Sequence, residues 1–277
     1  MSQPGMSPSV RPGSPPDRLA AALEAVVIGD RWLAERRSVV IAAAGGWQGG
    51  LLQVARACAQ GDRLLPQQWQ SHFQTLPDTA ALLLNALPYL WLQADAYGHH
   101  RAAVVGWAAE LEQWRSLPSS ESPTMVAAYE VLFDLVCQTI RAAGAGLSWG
   151  QFSTSLLTLA SNCEDTPLGP ALRLVAQSQG EFAVVLSTAE QRGWAATEVA
   201  LAGLLVGLAS GRAGVEATLR QRWLLAYPAS AQDVWQLSAD DLEAIALDLH
   251  ACWSGCRPGG NARDRLESPP FPFGIRV

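Results

Sequence analysis

Ala195-Ala-Thr-Glu-Val-Ala-Leu-Ala-Gly-Leu-Leu-Val-Gly-Leu-Ala-Ser-Gly211 is the stretch that decides the fold. Gly203, Gly207 and Gly211 recur every fourth residue, and Ala200 and Ala196 extend the row backwards. Positions three and four apart share one helix face, so the segment carries a strip nearly free of side chains. Leu201, Leu204, Leu205 and Leu208 fill the rest, which predicts a helix that is apolar all round and sits in the middle of a helical core. An interior glycine costs a helix about 0.5–1 kcal/mol relative to alanine. Three in register predict that another backbone, or a ligand, comes very close.

Working outward, the composition is rich in Ala, Leu and Gly and poor in β-branched runs, which predicts an all-α fold. At 277 residues one compact multi-helix domain is expected. Residues 1–16 and 257–277, rich in Pro, Ser and Gly or polar, are expected to be disordered or flexible tails around a helical domain at 17–256. The second tail contains Pro269-Pro-Phe-Pro-Phe273. A net charge of -6 gives no basic footprint for nucleic acid or an anionic membrane. No uninterrupted apolar run reaches about 18 residues, and no basic-then-apolar leader opens the chain, so a cytoplasmic protein is expected.

Asp17 is a plausible N-cap for a first helix from Arg18, which Gly29-Asp30 interrupts or ends. A helix over 39–44 stops at Gly45-Gly-Trp-Gln-Gly-Gly50, read as a flexible turn holding Trp47. It is neither a phosphate-binding loop nor a dinucleotide fingerprint. Further helices are expected at 51–59, around Trp69 and Phe73, and at 80–92 with Asp78 or Thr79 as cap. Others follow at 101–115, 125–142, 148–160, 171–178 and 180–191. A last amphipathic helix opens on Ser238-Ala-Asp-Asp241. His99-His100 and Glu164-Asp165 read as solvated loop pairs. The scattered Cys58, Cys137, Cys163, Cys252 and Cys256 read as reduced thiols, with no zinc site and no other metal assigned.

Three segments resemble the ADP-ribosylglycohydrolase family, the all-α relatives of the dinitrogenase reductase-activating glycohydrolase. Ala21–Leu33 keeps Ala22, Leu23, Gly29 and Asp30 of that family's small-residue opening helix. Thr79–Pro88 matches the hydrophobicity and the proline of its central segment. Gly193-Trp-Ala-Ala-Thr-Glu-Val-Ala-Leu-Ala-Gly203-Leu-Leu-Val-Gly207 fits the spacing of its late Gly-Asp-Thr-Asp-Thr motif, followed by Trp223. The resemblance implies an all-helical domain over about 18–256. It also implies candidate catalytic positions at Asp30, Asp78 and Thr197, and ligand-binding positions at Gly29, Asp30, Trp194 and Thr197.

The departures matter as much. The family holds two divalent ions with aspartates, and the late pair is here Trp194 and Ala196, which offer a hard cation no oxygen. The leading expectation is therefore a degenerate relative without di-metal catalysis or cofactor, acting by binding a partner protein or an ADP-ribose-like ligand. The rival is an active hydrolase that uses magnesium to release ADP-ribose from an acceptor. A third reading is an unrelated helical scaffold.

Overall fold

The computed structural model describes residues 13–37, 46–60, 66–95, 97–115, 122–145, 149–227 and 233–255. Its helices in chain order are α1 (Pro15–Arg37), α2 (Trp47–Gln60), α3 (Pro66–Gln74), α4 (Thr79–Gln93), α5 (Arg101–Arg115) and α6 (Ser122–Ala145). These are followed by α7 (Trp149–Ser161), α8 (Leu168–Gln177), α9 (Phe182–Gln191), α10 (Ala196–Ser210), the short α11 (Ala217–Arg220) and α12 (Ala239–Trp253). No strand occurs among the described residues, and the protein is all-α.

What meets the glycine strip of α10 is the backbone of α1. A Cβ on Gly207 would lie 2.2 Å from the Ala22 nitrogen, and one on Gly203 would lie 2.7 Å from the Ala25 carbonyl oxygen. On the other side Gly29 faces Val199, whose Cγ1 would be 3.3 Å from its Cβ. Ala22, Ala25 and Gly29 thus run antiparallel to Gly207, Gly203 and Val199, and the two helices touch main chain to main chain. Arg18 closes one end of the pair by donating to the Leu208 and Ala209 carbonyls, which α10 leaves unpaired at its C-terminus. α4, α6, α8 and α9 cover the remaining faces of α10, whose residues 199–209 are all buried. The stretch Ala196–Ala213 is apolar enough to cross a membrane by composition, yet 72% of it lies inside the protein, as a central helix requires.

The structure corrects several sequence expectations. Gly29-Asp30 does not end the first helix: α1 runs 23 residues through it. Gly29 there serves the contact with α10, and Asp30 finds hydrogen-bond donors inside the core. Asp17 is not the N-cap. Ser14 accepts from the Asp17 N–H and Asp17 from the Gly13 N–H, so the helix begins at Pro15, where a missing N–H costs nothing. The Gly45–Gly50 cluster is not a flexible turn from Trp47 on, because Trp47–Gly50 form the first turn of α2. Gly50 is required there: a Cβ would come within 2.1 Å of the His72 ring. α8 begins three residues earlier than expected, since Pro170 falls in a first turn whose N–H groups have no intrahelical acceptor. The expected helix at 39–44, residues 1–12 of the first expected tail, the tail at 257–277, Cys256 and the Trp69 side chain lie outside the described residues, while Pro15 and Pro16, assigned to that first tail, belong to α1. Asp78 caps α4 through a 2.8 Å bond from the Ala81 N–H, and Ser238 and Asp241 cap α12 reciprocally, both as expected.

A second feature of α1 went unread in the sequence. Asp17, Glu24 and Arg31 are seven residues apart and so lie along one face of a buried helix. Residues within 211–227 and 233–237 supply each with a counter-charge, Arg212 approaching Asp17 at 3.9 Å. Arg212 and Arg220 approach Glu24 at 3.0 and 2.7 Å, and Asp233 pairs with Arg31 at 2.5 Å. Arg212 also reaches Glu243 on α12. These three buried charges are thereby kept paired, as burial demands.

Candidate functional site

The positions picked out by the resemblance fall where α1, α2, α4, α10 and the connection before α12 converge. Asp30 is 2% exposed. Its Oδ2 accepts from the Trp235 indole N–H at 2.8 Å and from the Gln48 amide at 3.3 Å. Burial holds the Asp30 carboxyl above the ordinary carboxylate range; the two donors oppose that shift, the Asp233 charge adds to it and Arg31 opposes it. Next along α1, Arg31 donates to Asp233 and to the Trp223 carbonyl at 2.7 Å, and its guanidinium lies 4.4 Å over the Tyr227 ring.

The polar seam continues through α2. Trp47 packs edge-on against Trp235, ring centroids 5.6 Å apart, and its carbonyl accepts from the Asn85 amide at 3.2 Å. Asn85 also donates to the Ala81 carbonyl, so its Oδ1 is left to accept from the His72 Nε2–H at 2.9 Å. Burial lowers the His72 pKa, opposed by the bond to Asn85. Asn85 and Pro88 both lie inside α4, and the Asn85 side chain is saturated by its neighbours.

Asp78 and Thr197 do meet. The Thr197 hydroxyl donates to Asp78 Oδ2 at 2.8 Å, while Asp78 Oδ1 caps α4. Asp30 and Asp78, however, share no hydrogen-bond partner among the described residues. Trp194 is half-buried and contributes its carbonyl, which accepts from Arg37 at 2.7 Å. Gly29 contacts Val199. Glu198 accepts from the Ala195 N–H at 2.7 Å and helps to cap α10. Trp47 is 6% exposed and belongs to the core.

Two divalent ions, as the resemblance implies, need several anionic oxygens around one point. Asp30 Oδ2 already accepts two donors, and both Asp78 oxygens are engaged. Trp194 and Ala196 stand at the remaining positions. These residues do not fit a di-metal centre, and no group of three or more His, Cys, Asp or Glu placed to hold a metal occurs among the described residues. Burial pushes the thiols of Cys58, Cys137 and Cys163 up to about 12, 11 and 11, away from thiolate chemistry. His99 and Glu164 are exposed loop residues paired with Asp95 and Arg173.

Sequence reasoning missed Trp235, Gln48, Arg31, Asp233, His72 and Asn85. The seven-residue spacing of Asp17, Glu24 and Arg31 was the available signal for the charged face. Nothing local marks Trp235 as the partner of Asp30, 205 positions away. No protein-family model matches the chain, and comparison with curated proteins and with solved structures finds no significant match.

Asp30 carries a pH prediction. A carboxyl whose folded pKa is raised stabilises the fold below its ordinary value of 3.8, and that contribution is lost as pH rises through the raised value. Asp30→Asn keeps an acceptor for Trp235 and Gln48 but does not ionise. Urea midpoints should show the variant gaining on the natural protein between about pH 4 and about pH 8. An identical difference at both ends would refute the assignment.

Proposed function

We propose that this protein is an ADP-ribosylglycohydrolase-like helical protein that acts by binding a partner protein or a nucleotide-like ligand, without that family's di-metal catalysis. The observation that carries the reading is the convergence of the three resembling segments. Gly29 of the first packs on Val199 of the third, and Thr197 of the third bonds Asp78 beside the second. The loss of catalysis is supported by what their oxygens do: Asp30 and Asp78 accept structural hydrogen bonds that hold Trp235, Gln48, α4 and Thr197 in place. Nothing in that arrangement aims a carboxylate at a ribosyl bond.

The test is an assay for ADP-ribose release from ADP-ribosyl-arginine with excess magnesium, run beside a calorimetric titration with ADP-ribose. The expected result is no release above the buffer rate, with any binding heat independent of magnesium. Magnesium-dependent turnover would overturn the reading in favour of the hydrolase.

A further inference from the structure

The C-terminal turn of α1 is the centre of a basic rim in an acidic protein. Arg36 and Arg37 are exposed there; Arg37 donates to the Trp194 carbonyl, and Arg36 lies 5.3 Å over the Trp32 ring. Arg222 arrives from the segment after α11, pairs with Glu35 at 3.0 Å and lies 4.9 Å over the Trp223 ring. Arg192, also exposed, stands two residues before Trp194. Three guanidiniums, those of Arg36, Arg37 and Arg222, thus gather at one turn whose own carboxylate is Glu35, in a chain of net charge -6. Cations at a helix C-terminus are favoured by the backbone dipole, which accounts for Arg36 and Arg37. It does not account for Arg222, which comes from another segment; Arg192 is the C-cap of α9 and answers that helix's own dipole.

Trp32 and Trp223 are nearly buried and serve as platforms over which the Arg36 and Arg222 guanidiniums lie, the second of them also paired with Glu35. Leu225, three residues from Arg222, is 60% exposed and adds an apolar contact at the edge. Arginines held on aromatic faces beside an exposed leucine have the composition of the energetic centre of a protein interface.

We propose that this rim docks an acidic segment of a partner protein, the carboxylates entering the guanidinium forks and an apolar side chain resting on Leu225. The proposal rests on the reading that the protein acts by binding. A short acidic segment feels the local positive excess within about one Debye length, roughly 8–10 Å. A long polyanion or an anionic bilayer also meets the negative remainder of the surface, and one exposed leucine is too little to insert.

The probe is a fluorescein-labelled peptide of glutamate and leucine residues, titrated by anisotropy. Its glutamine counterpart, a single-stranded DNA oligonucleotide and phosphatidylserine vesicles run beside it. The acidic peptide should bind, and more weakly as salt rises. Arg36→Gln with Arg222→Gln should weaken it about five- to tenfold. Arg101→Gln with Arg173→Gln, the same charge change where the arginines pair with Glu130, Asp134 and Glu164, should leave it within about twofold. Circular dichroism checks the fold, and Arg222→Gln alone, at an exposed side chain, stands in if the double variant is unstable.

No peptide binding, equal weakening by the distant pair, or tighter binding of the oligonucleotide or vesicles would each overturn the proposal. Failure here leaves the expected lack of turnover untouched, whereas magnesium-dependent release of ADP-ribose overturns the functional reading whatever the peptide does.

Discussion

Gly207→Ala is expected to lower the stability of this protein by about 3 kcal/mol or more, although alanine is the better helix former by about 1 kcal/mol. The sign is decided by distance. The new Cβ would lie 2.2 Å from the Ala22 nitrogen, 2.3 Å from its Cα and 2.5 Å from the Ala21 carbonyl carbon. All three are backbone atoms of α1, so no side chain can swing aside, and the two central helices must separate. Separation thins the contact on which both depend, because close-packed interiors lose dispersion energy steeply with small gaps.

Gly106→Ala supplies the contrast. Gly106 is exposed on α5, and a Cβ there would meet nothing within 4 Å, so the propensity gain of about 0.5–1 kcal/mol should appear undiminished. Urea unfolding followed by far-UV circular dichroism checks both. A Gly207→Ala protein as stable as the parent would mean that α1 and α10 do not meet at their backbones.

The same pair of glycines measures what could be read in the sequence. The spacing of Gly203 and Gly207 foretold a central helix with a close neighbour, because helix periodicity is a property of local sequence. Gly211, read as the third of that row, is instead the C-cap that ends α10 at a φ of 62°. The spacing left open whether that neighbour was a ligand or another backbone, and α1 answers the question. Ala22, Ala25 and Gly29 were visible as small residues, but their alignment against α10 is fixed by a contact about 180 positions away. Gly29-Asp30 was misread as a helix end for a related reason. Local rules take glycine and aspartate as breakers, whereas Val199 and Trp235 make both compatible with the helix interior. Asp78 and Thr197, both named from the resemblance, are hydrogen-bonded to each other. The charged clamp that Arg212, Arg220 and Asp233 form with α1 went unseen, because its halves lie near opposite ends of the chain.

That clamp carries the other large effect. Asp233→Ala is expected to cost about 3–5 kcal/mol, since it strands a guanidinium whose side chain is 3% exposed. The Trp223 carbonyl and the Tyr227 ring still face Arg31, but neither carries a compensating charge. Glu35→Ala, which breaks the exposed pair with Arg222, should cost no more than about 1 kcal/mol. Replacing both buried partners, Arg31→Met with Asp233→Leu, should cost less than the two single changes added together, because no lone charge remains.

Asp233→Ala should also change the pH dependence imposed by Asp30. The Asp233 charge helps to keep the Asp30 carboxyl raised and Arg31 opposes it, so an Arg31 released from Asp233 favours ionised Asp30. The folded pKa of Asp30 then moves down towards its ordinary value, and the loss of stability with rising pH becomes shallower. Urea midpoints of the variant at about pH 4 and about pH 8 read this directly. A pH dependence as steep as in the natural protein, in a variant with the expected loss of stability, would separate the two groups: the clamp would be confirmed, and its electrostatic link to Asp30 would not.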